Sequence, residues 1–429
     1  MIVSTLKNAW NVPELRKKIG FTLLMFLVFR IGAHIPIPFI DRAVLDQILG
    51  TGTLYDFLDT FSGGAFRQFT VFALSITPYI TASIILQLLT VVVPYLERLA
   101  KEGEYGRKKI TQYTRYGTVI LGFVQGLGMT IGFRGAIVVP SGVPAWAIYL
   151  LVALVLTAGT AFLMWLGERI TERGVGNGIS LIIFCGIVAG VPNAILHISG
   201  LLKVGEISII SVLALIVIGA AIITGVVFIQ EGQRRIHVQY AKRVVGRRVY
   251  GGQSTHIPMK VNQAGVIPII FAISLLAFPS TIATWMDPSS GYVQFVNTWM
   301  TMNGKLTSIP YLTVYAILII FFTYFYTAIT FNPVDVADNL KKYGGFIPGL
   351  RPGRATADYL TKILSRLTLA GGTFLAIIAV VPSLIIGLTG IPNITLGGTS
   401  LLIVVSVALE TMKQLESLLM QRHYQGFMK

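Results

Sequence analysis

Residues 55–94 read YDFLDTFSGGAFRQFTVFALSITPYITASIILQLLTVVVP, and no ordinary soluble element fits them. The second half, roughly residues 69–93, is apolar for long enough to cross a bilayer, which takes about 20 helical residues. The first half cannot cross, because Asp56, Asp59, Arg67 and the pair Gly63-Gly64 interrupt it. Yet Phe57, Leu58, Phe61, Phe66 and Phe69 make it too apolar for a solvated loop. The stretch reads as a short, half-buried helix with a glycine hinge, leading straight into a spanning helix. Broken helices survive inside membrane proteins where they pack against protein or line a water-filled cavity. The break therefore points to a cavity, and the cavity to transport.

The rest of the chain agrees. Of 429 residues, 54% are hydrophobic and only 12% charged, with a mean hydropathy of +0.74; soluble domains average about 25% charged. This is the composition of an integral membrane protein. A net charge of +16 suits nucleic acid or anionic lipid, and in a membrane protein its distribution matters more than its sum. The single cysteine, Cys185, lies in an apolar run, so an intramolecular disulfide is excluded. Lys7, Arg16, Lys17 and Lys18 precede the first apolar run, and no small-residue cleavage site follows it, so that run reads as a retained helix.

Apolar runs of spanning length fall at 19–36, 69–93, 116–133, 145–166, 179–197, 207–230, 264–284, 310–331, 367–388 and 399–413, ten in all. An even number puts both termini on one side. That side carries 28 lysines and arginines against five opposite (Arg42, Arg67, Arg134, Lys203, Lys305), so the expected topology is multi-pass with both termini cytoplasmic. Two connections on the basic side exceed what a helix linkage needs. In 230–262, Ile236, Val238 and Tyr240 alternate with polar residues before Gly246 and Gly251-Gly252, which predicts a small two-stranded ribbon with a basic tip. In 332–366, Pro333, Gly344-Gly345, Pro348-Gly349 and Pro352-Gly353 predict an ordered, protruding loop. Ten spans divide into five plus five, residues 1–200 and 201–429. That division would suit an inverted repeat, although the halves share no convincing residue-level similarity.

Chemistry-bearing residues are sparse. The histidines His34, His197, His237, His256 and His423 are scattered, and no phosphate-binding loop or catalytic or metal-ligating cluster stands out. No cofactor and no enzymatic activity is expected. Intramembrane charge is limited to Arg30, which reads as a structural arginine satisfied by carbonyls or hydroxyls, and Glu410 near the end of the last span. Isoleucines do stand beside helix breakers: Ile76 and Ile80 around Pro78, Ile179 and Ile183 after Gly176-Asn177-Gly178, Ile270 after Pro268, and Ile403 after Gly397-Gly398. Such residues are ordinarily lipid-facing or core. A ring of branched aliphatics can, however, form a constriction that resists water and ions. Pro78 and Pro268 are expected to kink or loosen their spans. The basic loops fix topology and attract anionic lipid, while their length and turn structure suggest a cytosolic partner with an acidic or phosphate-rich face. A small-solute transporter and a membrane-embedded hydrolase are the other readings. The first would want paired intramembrane carboxylates and the second a matched nucleophile and base.

Several stretches resemble the SecY family, the central subunits of the Sec protein-conducting channel. FSGGAFRQFTVFALSITPYITASIILQLL and MWLGERITERGVGNGISLIIFCGIVAGVP resemble its two signatures. EGQRRIHVQYAKR, STHIPMKVNQAGVIPIIFA, FNPVDVADNLKKYGGFIPGLRPGRAT and GGTSLLIVVSVALE follow in the family's order, from about residue 14 to 420. The resemblance implies an all-α membrane protein of the bacterial cell inner (plasma) membrane, with ten helices in two five-helix halves around an hourglass pore. Residues 62–69, including Ser62, Gly63, Gly64, Ala65, Phe66 and Arg67, become a plug half-helix before the second span; Phe66 and Gln68 depart from the residues expected there. Ile76, Ile80, Ile183, Ile270 and Ile403 become pore-ring residues, with Ile179 adjacent. Thr81 and Gln87 on the second span and Ser274 and Phe278 on the seventh become a lateral gate for signal sequences and membrane segments. Arg234, Arg235, Lys242, Arg243, Arg247, Arg248, Arg351 and Arg354 become loop residues for a SecA-like motor ATPase or a ribosome. SecE-like and SecG-like small membrane subunits and unfolded preproteins complete the implied partners.

The charge asymmetry carries its own test. A cysteine replacing Gly103 is expected to react with a membrane-impermeant thiol reagent only from the cytosolic face, and one replacing Ser289 only from the outside. Reversal at either position overturns the orientation.

Overall fold

The computed structural model describes residues 7, 9–49, 59, 62–205, 207–240, 243–245, 248–250, 254–283, 286, 289–299, 309–389 and 398–426. Its helices are α1 (Pro13–Gly32), α2 (Arg42–Leu49), α3 (Thr77–Val92), α4 (Pro94–Lys101), α5 (Glu104–Gly132), α6 (Ala145–Arg173) and α7 (Gly178–Val204), followed by α8 (Ile209–Glu231), α9 (Ile267–Ala283), α10 (Gly291–Trp299), α11 (Ile309–Thr330), α12 (Pro333–Lys342), α13 (Arg354–Thr389) and α14 (Gly398–Gly426). Ten of these are sixteen residues or longer, and each overlaps one of the ten expected apolar runs. Among the described residues, five stretches, in α6, α7, α8, α11 with α12, and α13, are long and apolar enough to cross a membrane; α3 with α4 makes a sixth if that bent pair is one span.

The second run differs from its expectation. Its helix begins at Thr77, and residues 63–76 pass through successive turns where a half-helix leading directly into the span was expected. Gly63, Gly64, Phe69 and Ser75 all take positive φ, which a right-handed helix cannot accommodate. Pro78 and Pro268 are also corrected. Both stand at the first residues of their helices, where the missing N–H would have had no intrahelical partner, so they open α3 and α9 and do not kink them. The prolines inside helices are Pro192 in α7, Pro279 in α9 and Pro382 in α13. At the far end of α3, Val93 is held extended by the ring of Pro94, and α4 leaves at 99°.

The main core draws on nine helices, from Phe29 on α1 through Ile80, Leu166, Ile183, Val226, Ile270, Ile319 and Ala379 to Ile403 on α14. Several buried threonine hydroxyls bond to their own helices four residues back, as Thr118 does to the Thr114 carbonyl at 2.7 Å and Thr323 to that of Ile319 at 2.6 Å, whereas Thr160 Oγ1 and Thr327 Oγ1 are buried without a partner. The bonded hydroxyls enter an apolar interior already satisfied. By contrast α8 buries only Val226, and leaves Leu213, Ile216 and Phe228 exposed. A helix apolar all round with its surface uncovered suits lipid.

The ribbon expected in 230–262 forms, and it gains a strand. Here β1 (Gln233–Tyr240) pairs antiparallel with β4 (Ser254–Lys260), and β2 (Arg243–Val245) with β3 (Arg248–Tyr250) makes the tip. On the other edge of β1 lies β5 (Gly345–Phe346), donated by the second long loop. The two loops are thus one unit with its own core of Ile236, Val238, Met259, Leu340, Ile347 and Leu360. Leu360 on α13 is fully buried there. Leu360→Ala is expected to cost about 2–5 kcal/mol of local stability, seen as faster limited proteolysis within residues 233–260 while α1 to α7 stay protected. Unchanged cleavage would mean that the loops do not support one another.

Candidate functional site

The isoleucines singled out by sequence all lie in the main core. Ile76 precedes α3 as its N-cap and Ile80 is the fourth residue of that helix; they are 1% and 8% exposed. Ile183 is the sixth residue of α7, Ile270 the fourth of α9 and Ile403 the sixth of α14. All five belong to the one main core cluster, with Ile179 packed against it from the second position of α7. Asn177 fixes the start of α7, its Oδ1 accepting the Ile179 backbone N–H at 3.1 Å. The cluster also contains Ile187, one turn beyond Ile183, and Tyr311 and Tyr315 of α11. The sequence reading missed these three. The four-residue spacing from Ile183 to Ile187 was a legible signal for the first, but two tyrosines in an aromatic-rich span gave none.

Above α3, the segment Ser62–Arg67 is seated among other elements. Ser62, Ala65 and Phe66 are buried, while Arg67 is exposed. Ser62 Oγ donates to the Asp59 carbonyl at 3.0 Å and accepts the Phe66 N–H at 2.9 Å; the Arg67 N–H donates to Asp59 Oδ1 at 2.8 Å. Phe66 and Phe69 both meet the Phe133 ring edge-on. Gly63 sits at φ 68°, and a Cβ there would stand 2.9 Å from the Gly186 Cα of α7. Its carbonyl accepts from Arg30 Nη1 at 2.9 Å. Arg30 is therefore a structural arginine, and it ties the end of α1 to this segment.

The expected gate residues lie on α3 and α9, which pack directly on one another. Thr81 and Ser274 are buried, and the Thr81 hydroxyl donates to the Thr77 carbonyl at 3.1 Å. Gln87 is half-buried with its Oε1 unpartnered, and Phe278 is exposed at 36%. On the loop unit, Arg234 and Arg235 extend from β1, Arg351 stands at the turn before α13 and Arg354 opens that helix; all four are exposed. The turn is held by Thr356 Oγ1 donating to the Arg351 carbonyl at 2.9 Å. Arg243 and Arg248 lie on β2 and β3, while Lys242 and Arg247 fall outside the described residues.

Long apolar helices sharing one buried apolar core, which also takes in residues of an irregular segment, define a multi-pass membrane protein. The family model for SecY matches residues 70–412. The protein translocase subunit SecY of Halalkalibacterium halodurans is 52% identical over 434 residues, covering 99% of each chain. Among solved structures, one described as a protein conducting channel aligns with a TM-score of 0.66 at 19% identity over 94% of this chain and 92% of that one. Canine Sec61, from a ribosome-channel complex, aligns at 0.64 with 20% identity over the same shares. The chain belongs to the SecY family: it is a translocase channel subunit and not an enzyme.

The Arg30 contact makes a prediction. In a Cys185→Ala background, a cysteine replacing the fully buried Ala65 is expected to be shielded from a thiol reagent. Adding Arg30→Ala leaves the Gly63 carbonyl unpaired, at a cost of about 1–3 kcal/mol, and labelling accelerates. Equal labelling rates with and without Arg30 would detach this arginine from the seating of the segment.

Proposed function

We propose that this chain conducts unfolded secretory proteins across the bacterial inner membrane through a path closed at rest by Ile76, Ile80, Ile183, Ile270 and Ile403, with Ile179 adjoining. The observation that supports the reading is that these residues, from four helices far apart in sequence, are all buried in the same main core. Branched aliphatics close such a path to water and ions without a specific fit to any one chain. Residues 62–69 act as the plug on the external side, a role supported by their seating between Arg30, Gly186 and Phe133. A relative's plug domain is described as stabilising the closed state and maintaining a membrane seal.

Residues 1–200 and 201–429 form the two halves. Apolar segments leave sideways into lipid between α3 and α9, past Thr81, Gln87, Ser274 and Phe278. Both termini and the loop unit face the cytosol. There Arg234, Arg235, Lys242, Arg243, Arg247, Arg248, Arg351 and Arg354 meet a SecA-like motor or a ribosome, and anionic lipid surrounds the basic rim. Ribosome-bound relatives support that face of the proposal. SecE-like and SecG-like subunits complete the assembly.

The test is Ile403→Asn in vesicles reconstituted with the motor and a labelled precursor. A polar side chain at this fully buried position costs the closed state about 1–3 kcal/mol, which shifts the resting balance toward open by about 5- to 150-fold. Precursors with defective signals are then expected to pass. If the variant still rejects them and its resting ion leak stays at the native level, the isoleucine cluster is ordinary core.

A further inference from the structure

The loop unit carries a pair of histidines outside the candidate site described above. In the β1–β4 register His237 stands directly across from His256. Their Nδ1 atoms are 3.2 Å apart, with ring centroids separated by 5.0 Å and ring planes inclined at 48°. Both rings are exposed, on the face of the sheet opposite the one that buries Ile236 and Val238. Two nitrogens held 3.2 Å apart and each bonded to one cation at about 2.05 Å subtend about 103° at the metal, near the tetrahedral angle. The spacing equally suits an N–H···N hydrogen bond between two neutral rings. A cation takes the pair once both rings carry their proton on Nε2, leaving both Nδ1 lone pairs free.

We propose that His237 and His256 form a two-imidazole chelate for a borderline divalent transition cation, zinc or copper(II), with water completing its shell. Imidazole selects such cations, while magnesium and calcium prefer oxygen. Among the described residues no group of three or more His, Cys, Asp or Glu side chains could hold a metal ion, so the pair binds with two protein ligands. A bound cation links the two strands that carry the β2–β3 tip, and clamps their register.

The test uses the full-length chain in lipid nanodiscs, titrated with copper(II) and followed by electron paramagnetic resonance. The native chain is expected to show hyperfine coupling to two imidazole nitrogens. His237→Asn and His256→Asn should each weaken binding about a hundredfold, because the second bond is formed intramolecularly. His34→Asn and His197→Asn should bind as the native chain does. Zinc should slow amide exchange across residues 233–240 in the native chain and in neither sheet variant. Native-strength copper binding by His237→Asn or His256→Asn, or zinc-independent exchange in the native chain, overturns the proposal.

Discussion

A backbone that leaves the helix inside a membrane protein must find its hydrogen bonds in protein, since lipid offers none. Residues 63–76 meet that demand in two ways. Some bonds are local: the Thr70 N–H donates to the Ala65 carbonyl at 3.0 Å, Ala73 to Thr70 at 2.9 Å and Ser75 to Phe72 at 2.8 Å. Others reach the chain that follows α1, where the Ile37 N–H donates to Phe69 and the Val71 N–H to Ile35, both at 3.1 Å. The neighbours are shaped to suit. On α6, Gly159 lies so close that a Cβ would overlap the Val71 carbonyl, and Phe72 stacks between Phe29 and Phe162. The start of α3, the position of Ile76 and the seating of Ser62–Arg67 all follow from satisfying this one irregular stretch.

The loop unit obeys a different rule. Away from the apolar helices it needs its own core, and neither long loop alone has enough apolar surface to make one. Two-stranded ribbons are marginal in isolation. β1 and β4 gain from β5 on one edge and from α12 and α13 beneath, so that Leu340, Ile347 and Leu360 cover Ile236, Val238 and Met259. Arg351 and Arg354 thereby stand at a turn anchored to the same body as Arg234 and Arg235.

Much of this was legible in the sequence, because membrane helices announce themselves by length and hydropathy and strands by alternation. The ten apolar runs each meet a long helix, and Ile236 and Val238 alternate into a core as expected. What hid was tertiary. Nothing local in Gly345-Phe346 marks it as the partner of Gln239 and Tyr240. The positive φ of Phe69 and Ser75, residues with no conformational preference for it, delays α3 to Thr77 against an apolar pattern that invites a helix from 69. Pro78 and Pro268 were visible, but whether a proline kinks a helix or opens it depends on where the helix begins. The roles of the isoleucines rested on family likeness; their shared burial in one core is a matter of packing that periodicity could not supply.

The placement of those isoleucines gives the cluster an electrical sign. Ile80, Ile183, Ile270 and Ile403 each lie within the first two turns of their helices, so four helices enter the main core with residues of their N-terminal ends. Aligned peptide dipoles leave roughly half a positive elementary charge at each such end. No charged side chain is needed to produce this field, and the low polarity of the isoleucines does little to screen it. A bare cation near any one of these ends meets its positive dipole end as well as an apolar surface, whereas an anion meets the same surface and is drawn by the dipole.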